Sequence, residues 1–454
     1  MKQKFYFLFT LFWCSILSFG QTNSFIASTC IGTTTGDQSR FYSPVVADFD
    51  GDNDKDIIVC DEAQNYRLFT NDGTNNFSSA IVFVGLAPYT IREAKDIDND
   101  NDIDVVSVAG KIFINNGSAV FTQLPGTFFT ATGSISNFEI ADFNGDNKQD
   151  ILWLNGATNS ASNNQLWINN GTTGNANFVL SSEFDNLGIF ANFGSATGDI
   201  DSDGDVDLTI SGQGGWAGKV YKNNGAGVFT VSQNFTSYTG NGNLVDWDKD
   251  GDLDFVAFDY YNAWGLRLWK NDGAGTFGTV SPSSLLPAIT FSIRDATLVD
   301  LNGDTWLDVV VHSGSDNIGS RYYLNSGCQF TLASQVLSDA ANGIAISDFN
   351  NDGKPDVFNA ARDAQSCIYL NDLNVQSYVA ITAPSASSPI NYFVGETASQ
   401  LSASGTNLLW YTASSGGTGS ATAPTPSTAT TGNTSYWVSS TNANGCESAR
   451  VEIV

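Results

Sequence analysis

The chain has 454 residues, with 19 basic and 47 acidic side chains and a formal charge of −28. That charge repels a polyanion and excludes nucleic-acid binding through a basic surface. A hydrophobic share of 41% with 12% aromatics excludes a wholly disordered chain. The one histidine, His312, excludes histidine-cluster zinc sites and leaves little room for a Ser-His-Asp triad.

Residues 1–20, MKQKFYFLFTLFWCSILSFG, read as a secretory signal peptide. Lys2 and Lys4 form the charged start, Phe5 to Leu17 the apolar run, and Ser18 and Gly20 the small residues before a cut. The alternative is a membrane anchor, for which the run falls short of the ~20 residues a bilayer span needs. No later stretch is apolar enough to cross, so the expectation is a secreted chain, extracellular or at the cell surface, with no transmembrane segment. Cleavage leaves Cys30, Cys60, Cys328, Cys367 and Cys446. That is too few for a disulfide scaffold, and the odd number leaves at least one thiol unpaired.

Self-similarity then dominates the sequence. Seven acidic nonapeptides recur: DFDGDNDKD from Asp48, DIDNDNDID from Asp96, DFNGDNKQD from Asp142, DIDSDGDVD from Asp199, DWDKDGDLD from Asp246, DLNGDTWLD from Asp300 and DFNNDGKPD from Asp348. An apolar run precedes each loop, as at 44–47, and another follows it, as at 57–59. A third run ends in Asn, usually with a Gly turn, and in the first six units a phenylalanine opens a fourth (Phe77, Phe121, Phe178, Phe229, Phe277, Phe330). Four short strands per unit without helical periodicity describe a propeller blade. The expected fold is all-β: a seven-bladed propeller over 21–374, a linker at 375–389, and a small Ig-like β-sandwich over 390–454.

The seventh unit stops after its third run, and residues 24–28 look like an orphan fourth strand. The N-terminus is therefore expected to close the ring and remove an open edge. Cys30 would then lie beside Cys367, as a disulfide clamp or as two unrelated buried cysteines.

The loops carry the chemistry. Position 1 is Asp48, Asp96, Asp142, Asp199, Asp246, Asp300 or Asp348. Position 3 is Asp50, Asp98, Asn144, Asp201, Asp248, Asn302 or Asn350. Position 5 is Asp52, Asp100, Asp146, Asp203, Asp250, Asp304 or Asp352, and position 9 is Asp56, Asp104, Asp150, Asp207, Asp254, Asp308 or Asp356. Alternate residues of a tight loop can turn oxygens toward one point, and hard oxygen donors favour Ca²⁺. At position 7 stand Asp54, Asp102, Lys148, Asp205, Asp252, Trp306 and Lys354. A lysine or tryptophan there is compatible with a cation only through the backbone carbonyl. The alternative is a set of solvated acidic turns. The loops hold 29 of the 47 acidic residues, a crowding that bound cations would neutralise, so the expectation is about seven Ca²⁺ ions in a structural role. Mg²⁺ suits the loops less, because it demands stricter octahedral geometry.

The unit, an apolar strand, D-x-[DN]-x-D-x-x-x-D and a second apolar strand, resembles the FG-GAP/VCBS repeat of integrin α-type propellers. That resemblance implies calcium ligands at positions 1, 3, 5 and 9, with position 7 acting through its carbonyl. Residues 390–454, with Gly395, the LLWY run and GCESAR, resemble the Ig-like modules of secreted Bacteroidetes proteins.

Two functions from different classes follow. The first is a secreted adhesin or lectin-like module for an extracellular glycan or protein. The segments 212–216 and 258–264 would offer Trp216, Tyr261 and Trp264 for stacking, unless those rings pack between blades. The second is a calcium-dependent polysaccharide lyase or other carbohydrate-active enzyme, which some propellers of this kind are. A lyase needs a base near a neutralised uronate, yet basic residues are scarce and no paired catalytic constellation stands out. A passive scaffold that displays the Ig-like module is not separable from the first.

Overall fold

The computed structural model describes residues 25–32, 41–88, 90–126, 128, 136–155, 164–181, 192–212, 218–235, 241–258, 266–279, 293–313, 319–325, 330–338, 341–361, 365–373, 382–414, 418–441 and 447–454. The segment 1–20, expected to be a signal peptide, lies outside them, as do Trp216, Tyr261, Trp264, Cys328 and Cys446. His312 falls in the strand Asp308–Ser313, but its side chain is outside the described residues.

Among the described residues there are seven four-stranded antiparallel sheets. The first is built from Phe41–Ala47, Asp56–Asp61, Asn65–Asn71 and Phe77–Val84 in that order. The next five begin at Ile91, Ser136, Asn192, Asn241 and Ile293 and repeat the same up-and-down course. Second strands such as Asp56–Asp61 and Asp356–Ala361 are buried at every residue. This is why they read as continuous apolar runs rather than as alternating ones.

The sheets pack face to face through seven apolar clusters. Val45 and Phe49 meet Ile91 and Val105 between the first and second sheets, and Ile97 meets Phe138 and Trp153 between the second and third. Equivalent clusters fill the following seams. Phe349 and Phe358 meet Ile57 and Phe69 between the seventh sheet and the first, so the sheets form a closed ring. Each buried aromatic or aliphatic side chain contributes roughly 1.5–3 kcal/mol to such a seam.

Closure follows the expected route. Strand Phe25–Ile31 pairs antiparallel with Ser366–Asn371 and is the fourth strand of the seventh sheet, with Cys30 opposite Cys367. The two sulfurs are bonded at 1.94 Å across a sequence separation of 337, so the clamp is covalent. Cys60 is a buried free thiol, pushed up to about 12 by burial.

In the C-terminal unit, Leu409–Tyr411, Tyr436–Ser439 and Val451–Ile453 form one sheet over Leu401, Trp410, Val438 and Ile453. Ser385–Ala386, inside the stretch expected to be a linker, pairs with Ala403–Ser404. No helix among the described residues is long and apolar enough to cross a membrane.

Candidate metal centres

The first-to-second-strand loops run 48–55, 96–103, 142–149, 199–206, 246–253, 300–307 and 348–355, the same length in all seven sheets. Their backbones share one conformation. Position 4 is left-handed in every loop (Gly51, Asn99, Gly145, Ser202, Lys249, Gly303, Asn351), and so is position 6 (Asn53, Asn101, Asn147, Gly204, Gly251, Thr305, Gly353). Position 1 holds this course, because one of its carboxylate oxygens accepts the position 6 N–H in all seven loops, at 2.6 to 3.2 Å. Position 5 likewise accepts the N–H of position 7 in all seven.

Position 9 is fully buried in every loop. One of its oxygens accepts the N–H of position 2, as Asp56 does from Phe49 at 2.9 Å. The other accepts the N–H of the asparagine that ends the third strand, as Asp56 does from Asn71 at 2.8 Å. The same pair of bonds recurs at Asp104, Asp150, Asp207, Asp254, Asp308 and Asp356. Each oxygen keeps a further lone pair. Burial pushes these carboxyls up, to about 6 at Asp56, Asp150, Asp207 and Asp356 and about 7 at Asp104, Asp254 and Asp308. Ionising them costs free energy that a bound cation would offset.

Position 3 separates the loops. Where it is aspartate (Asp50, Asp98, Asp201, Asp248), its Oδ1 is buried without a hydrogen-bond partner. Three carboxylates in each of these loops converge, with one oxygen from each lying within 4.8 Å of the others: Asp48, Asp50 and Asp56; Asp96, Asp98 and Asp104; Asp199, Asp201 and Asp203; Asp246, Asp248 and Asp250. Orphaned buried anionic oxygens among converging carboxylates fit a hard cation, since an unpaired buried polar atom is otherwise costly. The fifth carboxylate of these four loops, at position 7, turns elsewhere. A Cβ placed on Gly73, Gly117, Gly225 or Gly273 would lie within 2.6 Å of Asp54, Asp102, Asp205 or Asp252, so that side chain packs on the turn between the third and fourth strands. Trp306, at the same position, instead lies under the Lys249 ammonium of the preceding loop, 4.0 Å from the ring centroid.

Two residue types bind loop to loop across the seams, and neither stands out in the sequence as a site. The Nδ2 of Asn115 donates to the Phe49 carbonyl of the preceding sheet at 2.8 Å. Asn71, Asn169, Asn223, Asn271 and Asn371 make the equivalent bond. The apolar residue at position 2 receives that bond and anchors the core beneath. Phe143, Trp247 and Phe349 each meet the phenylalanine that opens the fourth strand of the following sheet, and Phe49 meets Phe121, just before that strand. The readable signal was an apolar residue at position 2 in all seven loops, paired with an asparagine at the end of each third strand.

The FG-GAP-like repeat signature matches residues 48–107, 96–153, 246–311 and 300–359, and that of the CHU_C-associated Ig-like domain matches 381–454. The loop at 199–207 lies between the repeat matches, yet it shares their hydrogen bonds. Among solved structures, the chain is similar to the BP39L lectin of Burkholderia pseudomallei, with 13% identity, 75% of this chain and 99% of the lectin covered, and a TM-score of 0.52. It also matches an Agrocybe aegerita lectin described as recognising non-reducing terminal N-acetylglucosamine, at 21% identity, with 64% and 79% covered and a TM-score of 0.45. A Bacillus licheniformis rhamnogalacturonan lyase matches at 12% identity, with 79% and 77% covered and a TM-score of 0.43. No curated protein sequence matches. From loops, sheets and signatures together, this chain carries FG-GAP-like repeats folded as a propeller and ends in a CHU_C-associated Ig-like domain.

Proposed function

We propose that this is a secreted, calcium-stabilised binding protein whose ring presents one end to an extracellular glycan or protein. The observation that carries this reading is the contrast between the two ends of the sheets. At one end lie the seven acidic loops, constant in length and in the hydrogen bonds of positions 1, 5 and 9. At the other, the second-to-third-strand connections vary from 62–64 to 156–164, and the sheet-to-sheet connections from 339–340 to 280–292. Variable loops on a rigid scaffold are where recognition is built. Trp216, Tyr261 and Trp264 belong to those connections and supply faces for sugar stacking. The likeness of the ring to a lectin is in line with this.

The acidic loops would hold Ca²⁺ through side-chain oxygens at positions 1, 3, 5 and 9, an aspartate or asparagine at position 3 and aspartates at the others, and through the carbonyl at position 7. The ion supplies charge neutralisation where carboxylates converge. The residues themselves fix the left-handed turn and tie each loop to the asparagine at the end of the third strand. A uronate lyase is the poorer reading, since a chain of charge −28 repels a polyanionic substrate. The test is glycan-array binding in calcium, with Tyr261→Ala and Trp264→Ala variants. Binding lost in both supports the reading, and undiminished binding removes these residues from the site. Ultraviolet absorbance rising on a uronate polymer would replace the binding reading with the lyase.

A further inference from the structure

The C-terminal unit has a groove of its own, and we propose that it is a second binding site, for an uncharged polysaccharide. It belongs to a different unit from the variable loops of the ring, and it stands whether or not those loops bind a glycan. The groove measures about 430 Å³, within the roughly 300–1,000 Å³ of ligand pockets. Leu401 and Ile453, 5% and 1% exposed, are its buried lining. Tyr436, half-buried opposite Ile453, brings one aromatic ring to it, and Tyr392 and Phe393 bring two more.

Phe393 is 86% exposed and its neighbour Val394 61%. The backbone fixes them in water. Phe393 N–H donates to Glu396 Oε2 at 2.8 Å, and Glu396 N–H donates back to Phe393 O at 3.0 Å. Gly395, at φ 81°, donates its N–H to Thr428 O at 3.0 Å, and the Thr428 hydroxyl donates to Glu396 O at 2.6 Å. A turn tied down in this way loses little conformational freedom when a ligand covers its ring. Exposed apolar surface rimmed by polar side chains marks an interaction site.

The rim selects the occupant. Asn391, Thr430, Thr431, Asn433 and Thr434 are exposed, and their hydroxyls and amides can both donate to and accept from sugar hydroxyls. No Asp, Glu, Lys or Arg side chain lines the groove, in a chain of charge −28. A uronate polymer or a charged peptide would meet no counter-charge there. Aromatic rings flanked by hydroxyls and amides suit instead the apolar face and hydroxyl edge of a neutral pyranose.

The test is native-gel affinity electrophoresis of the full chain in calcium. Hydroxyethylcellulose, arabinoxylan, galactomannan or starch is cast into the gel, with polygalacturonate as the charged comparison. The expected result is retardation by at least one neutral polymer and none by polygalacturonate. Phe393→Ala, which removes an exposed ring and leaves the core intact, should bind that polymer about tenfold more weakly. A chain carrying Tyr261→Ala and Trp264→Ala should keep the binding that Phe393→Ala loses. Retardation lost in that double variant but undiminished in Phe393→Ala overturns the groove and leaves the ring reading in place. No retardation by any neutral polymer, or retardation by polygalacturonate alone, also overturns the groove. Dimerisation in sedimentation that Phe393→Ala abolishes, without retardation, assigns the groove to a second copy of the chain and overturns the polysaccharide.

Discussion

Asn115→Ala isolates the bond that joins one loop to the next sheet. Asn115 is 2% exposed, and its Nδ2 donates to Phe49 O at 2.8 Å and to Ile103 O at 3.2 Å, while its Oδ1 accepts from Asn116 N at 2.9 Å. The backbone bond from Asn115 to Asp104 survives the change. Phe49 is 0% exposed, and its carbonyl keeps the Ala119 N–H at 2.9 Å, so the change removes one of its two bonds, which costs about 0.5–1.5 kcal/mol. Ile103 and Asn116 reach water and recover most of their loss, adding about 0.5 kcal/mol each. Urea unfolding in saturating calcium should therefore show Asn115→Ala destabilised by about 1.5–2.5 kcal/mol. Asn116→Ala, which removes only exposed turn bonds, should cost about 0.5 kcal/mol. Native-state hydrogen exchange should quicken on both sides of the seam between the first and second sheets. A variant within about 0.5 kcal/mol of the parent would refute the claim that these asparagines hold the seams.

Cys30→Ser should lower stability by roughly 3–5 kcal/mol, since the bond closes a loop of 337 residues; an unchanged unfolding midpoint would mean strand pairing alone closes the ring. Thr305→Asn, which replaces a β-branched residue at φ 75°, should stabilise the chain by about 0.5–1 kcal/mol, and a loss would show that Thr305 is not strained. Gly117→Ala combines φ 72° with a Cβ 2.6 Å from the Asp102 carboxylate and should cost about 2 kcal/mol, partly restored by adding Asp102→Ala. The calcium-free chain should be more stable in mild acid than at neutral pH. Its buried position 9 carboxyls, at about 6 to 7, and Glu93, raised to about 8 by burial and by Glu139, lie above their unfolded values. Their contribution is complete below the unfolded pKa and disappears as pH rises through 6 to 8, so a melting temperature that falls on acidification from pH 7.5 to 5.5 would contradict the sign.

The architecture was legible because each sheet is local. Its four strands, its acidic loop and its glycine turn fall within one repeat, so period, apolar runs and turn residues describe it directly. Ring closure was legible for a different reason: the seventh unit lacked a strand, and an unclaimed apolar segment stood at the other end, with Cys30 and Cys367 to match. The hidden features are those whose partners lie in another repeat. Asn71 reaches Phe349, 278 positions away, and nothing local distinguishes it from a turn asparagine. The two kinds of loop were visible as differing acid counts. The difference in bonding was not, because at the equivalent position the Asn302 Oδ1 accepts the Asp304 N–H while the Asp98 Oδ1 stays unpaired. The packing of the Asp102 side chain on Gly117 was not legible, because it needs the turn between the third and fourth strands brought beneath it.

The central claim is that the acidic loops are cation sites that stabilise the ring. It is tested most directly by thermal unfolding of the chain in millimolar Ca²⁺ and after chelation. An ion bound only by the folded chain adds RT ln(1 + [L]/Kd), about 2.7 kcal/mol per site at a hundredfold excess. The expected result is a large rise in melting temperature with calcium and a much smaller one with magnesium. Identical melting curves with and without calcium would reduce the loops to acidic turns and contradict the claim.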